Sequence, residues 1–143
     1  MPLLISACLL GEPCRFDGQG KYNSELLDLL QDKTLIPVCP EVEGGLPVPR
    51  PPAEIRGKQV FRENGEEVSS QFIKGAEICR DKGIAEKANL AILKSRSPAC
   101  GCGQVYDGTF SKRLKAGDGV LTQALKAAGI KCISDEQYLK ENH

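Results

Sequence analysis

Residues 3–8 read Leu3-Leu4-Ile5-Ser6-Ala7-Cys8, an apolar run that ends on a cysteine and gives way to Leu9-Leu10-Gly11-Glu12-Pro13. A run of this length bounded by Gly, Pro and polar residues has the form of a strand buried on both faces, as in a parallel sheet. Two other stretches repeat it: Leu35 to Val38 runs straight into Cys39, and Leu90 to Leu93 leads through a short polar loop to Cys100. If the three are neighbouring parallel strands, their thiols meet at one edge of the sheet. Open parallel sheets place their ligand sites beyond the carboxyl ends of their strands, so the chemistry is expected there.

Outward from these strands the chain alternates. Asn23 or Ser24 caps a helix with Leu26, Leu27, Leu29 and Leu30 up to Gln31, Thr34 to Cys39 forms the second strand, and a Gly/Pro-rich connection follows from Gly44 through Pro52. Asn64-Gly65 predicts a hairpin between Lys58 and Val68, outside the main sheet. Ser69 or Ser70 starts a helix to about Lys82, with Phe72, Ile73, Ala76 and Cys79 on one face and Gly83 as its stop. Leu90 to Lys94 is the third strand, and Val105 to Ser111 a loop insertion. A helix from Gly119 or Val120 to Ala128 stops at Gly129, Ile130 to Ile133 is the fourth strand, and Ser134 caps a last helix over Glu136 to Lys140. The pattern predicts one domain over residues 1–143: a three-layer α/β/α sandwich with a mainly parallel four-stranded sheet, order 2-1-3-4.

Lys plus Arg and Asp plus Glu number 19 each, a formal net charge of zero. No long-range field steers a polyanion or grips an anionic membrane, so neither a nucleic-acid polymer nor a membrane is expected as partner. No run approaches the roughly 20 apolar residues of a membrane span, and the first residues lack the basic and apolar segments of a secretory signal, so the expected compartment is the cytoplasm. Seven cysteines in a reducing compartment point to metal or thiol chemistry rather than a disulfide framework. The only histidine is the last residue, His143, expected to fray, which leaves proton transfer to carboxylates, hydroxyls, lysines, thiols or water. With three Tyr, four Phe and no Trp, a bound heterocycle is expected to be a single small one.

Cys8, Cys39 and Cys100 are too far apart in sequence to resemble a zinc knuckle, so their relation is topological. Either each fills space at a strand end, or the three hold a metal centre with an open position. An iron-sulfur cube held by three thiolates leaves one iron free as a Lewis acid, and zinc is the competing metal. Cys79 and Cys132 read as core residues, whereas Cys14 and Cys102 are loop thiols near the site: ligand, redox partner or bystander. Glu41 in Cys39-Pro40-Glu41 and Ser97 in Ser97-Pro98-Ala99-Cys100 face whatever the thiols bind. A partly shielded carboxyl beside thiolates holds its proton tightly, which suits acid-base work near neutral pH. Alternatively Glu41 accepts N–H bonds in the Gly44-Gly45 loop and Ser97 caps a turn. Arg50, stiffened by Pro51-Pro52, either forks onto a ligand or pairs with Asp17 or Glu54. Asp17 is a second substrate-binding candidate, although Asp17-Gly18 and Asp107-Gly108 both have the form of turns.

Five segments carry a family resemblance: Ser6-Ala7-Cys8-Leu9-Leu10-Gly11; Cys14-Arg15-Phe16-Asp17-Gly18; Cys39-Pro40-Glu41 through Gly44-Gly45-Leu46 to Pro49-Arg50-Pro51-Pro52-Ala53-Glu54; Leu93-Lys94 with Ser97-Pro98-Ala99-Cys100-Gly101; and Tyr106-Asp107-Gly108-Thr109-Phe110. Over nearly its whole length the chain resembles the former domain-of-unknown-function family 523, whose characterised member is a 2-thiouracil desulfurase. The resemblance implies a 4Fe-4S cluster on Cys8, Cys39 and Cys100 and a small thiolated nucleobase as substrate; oxidation can strip such a cluster from an aerobically prepared sample. The resemblance also implies non-redox loss of sulfur, with Glu41 and Ser97 as the catalytic pair. Ala99 stands where many relatives carry a second serine. Two other classes compete: a non-catalytic zinc or iron-sulfur carrier, and a thiol reductase using Cys8 with Cys14. Oligomeric state is left open.

Overall fold

The computed structural model describes residues 2–142, so His143 and its expected fraying lie outside the described residues. In chain order the elements are β1 (Leu3–Ser6), a 3-10 turn (Ala7–Leu10), α1 (Ser24–Leu29), β2 (Leu35–Val38), α2 (Pro40–Glu43), β3 (Ala53–Arg56), β4 (Gln59–Arg62), α3 (Ser69–Ala85), β5 (Leu90–Leu93), β6 (Gln104–Tyr106), β7 (Leu114–Ala116), α4 (Val120–Ala127), β8 (Lys131–Ser134) and α5 (Asp135–Glu141). Four strands form a parallel sheet in the order β2-β1-β5-β8, which counted along the chain is second, first, third, fourth. Cys8, just past the end of β1, therefore lies between the ends of β2 and β5.

Side-chain alternation along β1 divides the core. Leu4 joins Val38, Phe72, Ala76, Leu121 and Leu125 on the face covered by α3 and α4. Leu3 and Ile5 join Leu26, Leu30, Tyr138 and Leu139 on the face covered by α1 and α5. All four β1 residues are buried, as expected of the middle of a doubly covered sheet. Asn23 caps α1 by accepting the Leu26 N–H, and Ser134 caps α5 by accepting the Gln137 N–H. Among the described residues no helix is long and apolar enough to cross a membrane.

Three local expectations are corrected, and two elements stand where the sequence assigned none. The chain does turn at Asn64-Gly65, where Gly65 N–H bonds the Arg62 carbonyl, but only one bridge follows, Phe61 to Glu67. The following chain enters α3 at Ser69, so the longer partner of β4 is β3, over residues to which the sequence assigned no element. Gly83 does not stop α3: the helix runs on to Ala85 and lies so close to β1 that a Cβ at Gly83 would stand 2.6 Å from Leu4 Cδ1. Crowding, not termination, explains that glycine. The segment read as a loop insertion starts within an antiparallel pair, β6 with β7. The chain after Cys39 coils into α2, with Cys39 as N-cap and Pro40 in the first turn, where its missing N–H costs nothing.

The short α2 crosses α3 at very close range: a Cβ on Gly75 would overlap the carbonyl of Pro40. That crossing fixes where α2 holds Cys39 and Glu41.

Candidate active site

Cys8, Cys39 and Cys100 all line one cavity of about 430 Å³ at the carboxyl end of the parallel sheet, together with Cys14, Glu41, Arg50 and Ser97. Each thiol comes from a different local structure. Cys8 sits in the 3-10 turn after β1, Cys39 caps α2, and Cys100 lies in the loop after β5. Ser97 Oγ shapes that loop by accepting the N–H groups of Ala99 and Cys100, each at 3.1 Å, and the Thr122 hydroxyl donates to the Cys100 carbonyl at 3.1 Å. Ser97 thus does close a turn, and with two N–H groups on its oxygen its own O–H is free to donate into the cavity.

Burial pushes the Cys8 thiol up to about 11, against the pull of Lys94. It also raises Cys100, partly offset by the Ser6 hydroxyl. Cys39 departs in the other direction, lowered to about 7, chiefly because the Cys14 thiol donates to it; burial opposes this and the Val42 N–H assists. Cys8 and Cys39 each disfavour ionisation of Cys100, and Cys39 does the same to Cys8. Three thiols around one cavity, two of them buried and held protonated, are a donor set that ionises together only when a soft, positively charged iron-sulfur or thiophilic centre compensates the charge. Among the described residues no three His, Cys, Asp or Glu side chains are gathered as ligands of one metal ion. A cubane makes a different demand, since each thiolate takes its own iron.

Of the remaining thiols, Cys14 lines the cavity and Cys79 lies in the core as expected, whereas Cys102 does not line the cavity. All seven cysteines are free. Cys14 lies beside Cys39, whose sulfur stands 3.7 Å from the Cys14 carbonyl oxygen, and it is not bridged to Cys8. Cys102 is turned away from the cavity into a separate polar groove, where it meets Cys132. Cys132 is only partly buried there. Cys79 is fully buried but has a polar partner, Glu43, to which it donates at 2.8 Å.

Glu41 and Arg50 form a unit. Arg50 donates Nε–H to Glu41 Oε1 at 3.0 Å and uses its other nitrogens on the carbonyls of Pro47 at 3.0 Å and Cys14 at 2.9 Å. Of the two readings of Arg50, the pairing with Asp17 or Glu54 does not occur. Glu54 instead accepts the N–H groups of Gly108 and Phe110, and Asp17 lies on an exposed turn, accepting Gln19 N–H, outside the cavity lining. In the Gly44-Gly45 region it is the Glu41 backbone carbonyl, not its carboxylate, that accepts a bond, from Leu46 N–H. Burial raises the Glu41 carboxyl above the ordinary carboxylate range, with Arg50 pulling it back.

Sequence reasoning assigned no role to Lys94, which lines the cavity and whose ammonium donates to the carbonyl and hydroxyl of Ser95, at 3.4 and 3.2 Å. Its place directly after β5, level with the sheet edge, was the available signal. Phe16, Tyr106 and Phe110 also line the cavity. Phe110 reaches it in a left-handed backbone conformation, φ +57°, where Glu54 accepts its N–H. A turn reading of Asp107-Gly108 gives no hint of which way the next aromatic faces.

Residues 3–137 match the family model described as 2-thiouracil desulfurase. A curated relative, the uncharacterised protein YbbK of Bacillus subtilis (strain 168), is 34% identical over 145 residues, covering 94% of this chain and 96% of that protein. A solved structure described as the [4Fe-4S]-dependent thiouracil desulfidase TudS (DUF523Vcz) superposes with a TM-score of 0.92 at 43% identity, covering 99% of this chain and 94% of its own. With a family model spanning nearly all of its length and the cavity where the strand ends predict it, the chain belongs to the 2-thiouracil desulfurase family.

Proposed function

We propose that the protein removes sulfur from a thiolated pyrimidine such as 2-thiouracil, without net redox change, giving uracil and sulfide. The observation that carries this is the shared wall: three thiols, a buried Glu41–Arg50 pair and the Ser97 hydroxyl all border one cavity. Cys8, Cys39 and Cys100 hold a 4Fe-4S cluster, and when bound it supplies a soft Lewis-acid iron that favours departure of sulfide.

The chain's own residues supply the rest. Phe16, Tyr106 and Phe110 offer the planar base apolar and aromatic surface. Glu41, its carboxyl made more basic by burial, takes a proton from the water whose oxygen replaces sulfur on the ring carbon. The C–O bond forms as the C–S bond breaks, and the carbon keeps its oxidation state. Ser97 donates its free O–H to a heteroatom of the base and orients it. A centre built on unpaired thiols needs a reducing compartment, and we place the enzyme in the cytoplasm.

The test is anaerobic reconstitution followed by incubation with 2-thiouracil, with assay of uracil, sulfide and bound metal. Stoichiometric uracil and sulfide that depend on iron support the assignment. Zinc at one per chain with no turnover after iron reconstitution overturns it in favour of a metal carrier.

A further inference from the structure

Behind the cavity wall lies a second polar cluster, built around Glu43 and absent from the cavity lining. Glu43 Oε2 accepts the backbone N–H of Cys39 at 3.3 Å and the Cys79 thiol at 2.8 Å, while Oε1 accepts Lys82 Nζ at 2.9 Å. Cys79 and Lys82 are both on α3, so one carboxylate joins the residue that begins α2 to the long helix beneath it. We infer that Glu43 is a positioning residue for Cys39, fixing that thiol's backbone from behind and so directing its sulfur into the cavity.

The local chemistry explains why a carboxylate is placed here. In a capping box the residue three beyond the N-cap returns its side chain to the N-cap N–H, and the N-cap side chain bonds the first turn. Here the return comes one residue later, from Glu43, and Cys39 makes no complete side-chain capping bond. The amide is therefore satisfied while the sulfur stays available to the cavity. Burial pushes the Glu43 carboxyl up, but the Cys79 thiol and Lys82 ammonium hold it below the ordinary range, so it remains an acceptor for all three donors. Glutamine cannot replace it: its single oxygen can face Lys82 or Cys39, and its amide group then confronts another donor.

The inference rests on Cys39 being a cluster ligand, and the experiment separates the two. Glu43→Gln is compared with Cys79→Ala, which leaves the bond to Cys39 intact, and with Phe72→Leu, a core change in α3 that removes none of these hydrogen bonds. After anaerobic reconstitution, iron per chain, rate of cluster loss and cluster midpoint potential are measured; in metal-free protein, the alkylation rate of each cysteine is mapped by mass spectrometry. Removing partners that orient metal ligands typically costs 10- to 100-fold in metal affinity. Glu43→Gln is expected to lose its cluster about tenfold faster, with a shifted potential, and to change alkylation of Cys39 but not Cys8. Cys79→Ala and Phe72→Leu keep wild-type potential and Cys39 reactivity. If Glu43→Gln matches Phe72→Leu in every readout, the inference is overturned. If wild type binds no iron while Glu43→Gln still alters Cys39 alone, the positioning role stands and the cluster assignment falls.

Discussion

Glu41 accepts the Nε–H of Arg50 at 3.0 Å in a wall where the carboxylate is 16% exposed and the guanidinium 2%. Burial and the cation act on the carboxyl in opposite directions, and burial prevails, so the proton leaves at higher pH than from an ordinary glutamate. A base works in its ionised form, present above its pKa; activity therefore falls as pH drops through a raised value. In Arg50→Met the cation is gone, the pKa rises further, and the acid limb of the kcat/KM profile moves to higher pH. Glu41→Gln removes the limb and lowers kcat roughly 100- to 10,000-fold while iron content stays at the wild-type level. A profile unchanged in Arg50→Met removes Glu41 from the role of base.

Ser97→Ala should lower stability and activity together. It leaves the N–H groups of Ala99 and Cys100 without their acceptor, and a buried donor left unpaired costs about 1–3 kcal/mol. Cys100 is one of those two residues, so iron retention should fall as well. Ser97→Thr keeps the oxygen and should restore iron and melting temperature. Thermal unfolding and an iron count read both.

The sheet, its order and the convergence of Cys8, Cys39 and Cys100 were legible because each rests on a short apolar run ending at a fixed place in a parallel topology. The partner of Arg50 was not, because Asp17, Glu54 and Glu41 are equally acidic in sequence. Only the coiling of the chain into α2 after Cys39 turns Glu41 towards Arg50. Cys102 was misplaced for a similar reason: it lies two residues from Cys100 but faces another groove. Glu43, Cys79 and Lys82 meet across a contact between helices, which no local pattern records.

Gly75→Ala tests whether the site depends on the crossing of α2 and α3. The added Cβ would overlap the Pro40 carbonyl, a backbone atom that cannot rotate aside, so α2 must shift and carry Cys39 and Glu41 with it. Iron loading and turnover should both collapse in protein that retains its far-ultraviolet circular dichroism. Lys74→Ala, at the exposed preceding position, should change neither. Full iron loading in Gly75→Ala would show that the ligand tolerates displacement of its helix.

In metal-free protein the thiols should differ sharply in reactivity. The thiolate is the nucleophile, and Cys39, lowered to about 7, is about half ionised near neutral pH, whereas Cys8 at about 11 is almost wholly protonated. Cys79 and Cys100 are raised too, by burial, and have little access to reagent. Iodoacetamide should therefore modify Cys39 first, with a rate that climbs through neutral pH and levels above it. The Cys14 thiol is the largest cause of the lowered value, so Cys14→Ala should raise the Cys39 pKa, move that rise to higher pH and slow alkylation near neutrality. Peptide mapping by mass spectrometry across a pH series reads this directly. Equal modification of Cys8 and Cys39 at neutral pH would contradict the polarised pair that Cys14 and Cys39 form at the cavity wall.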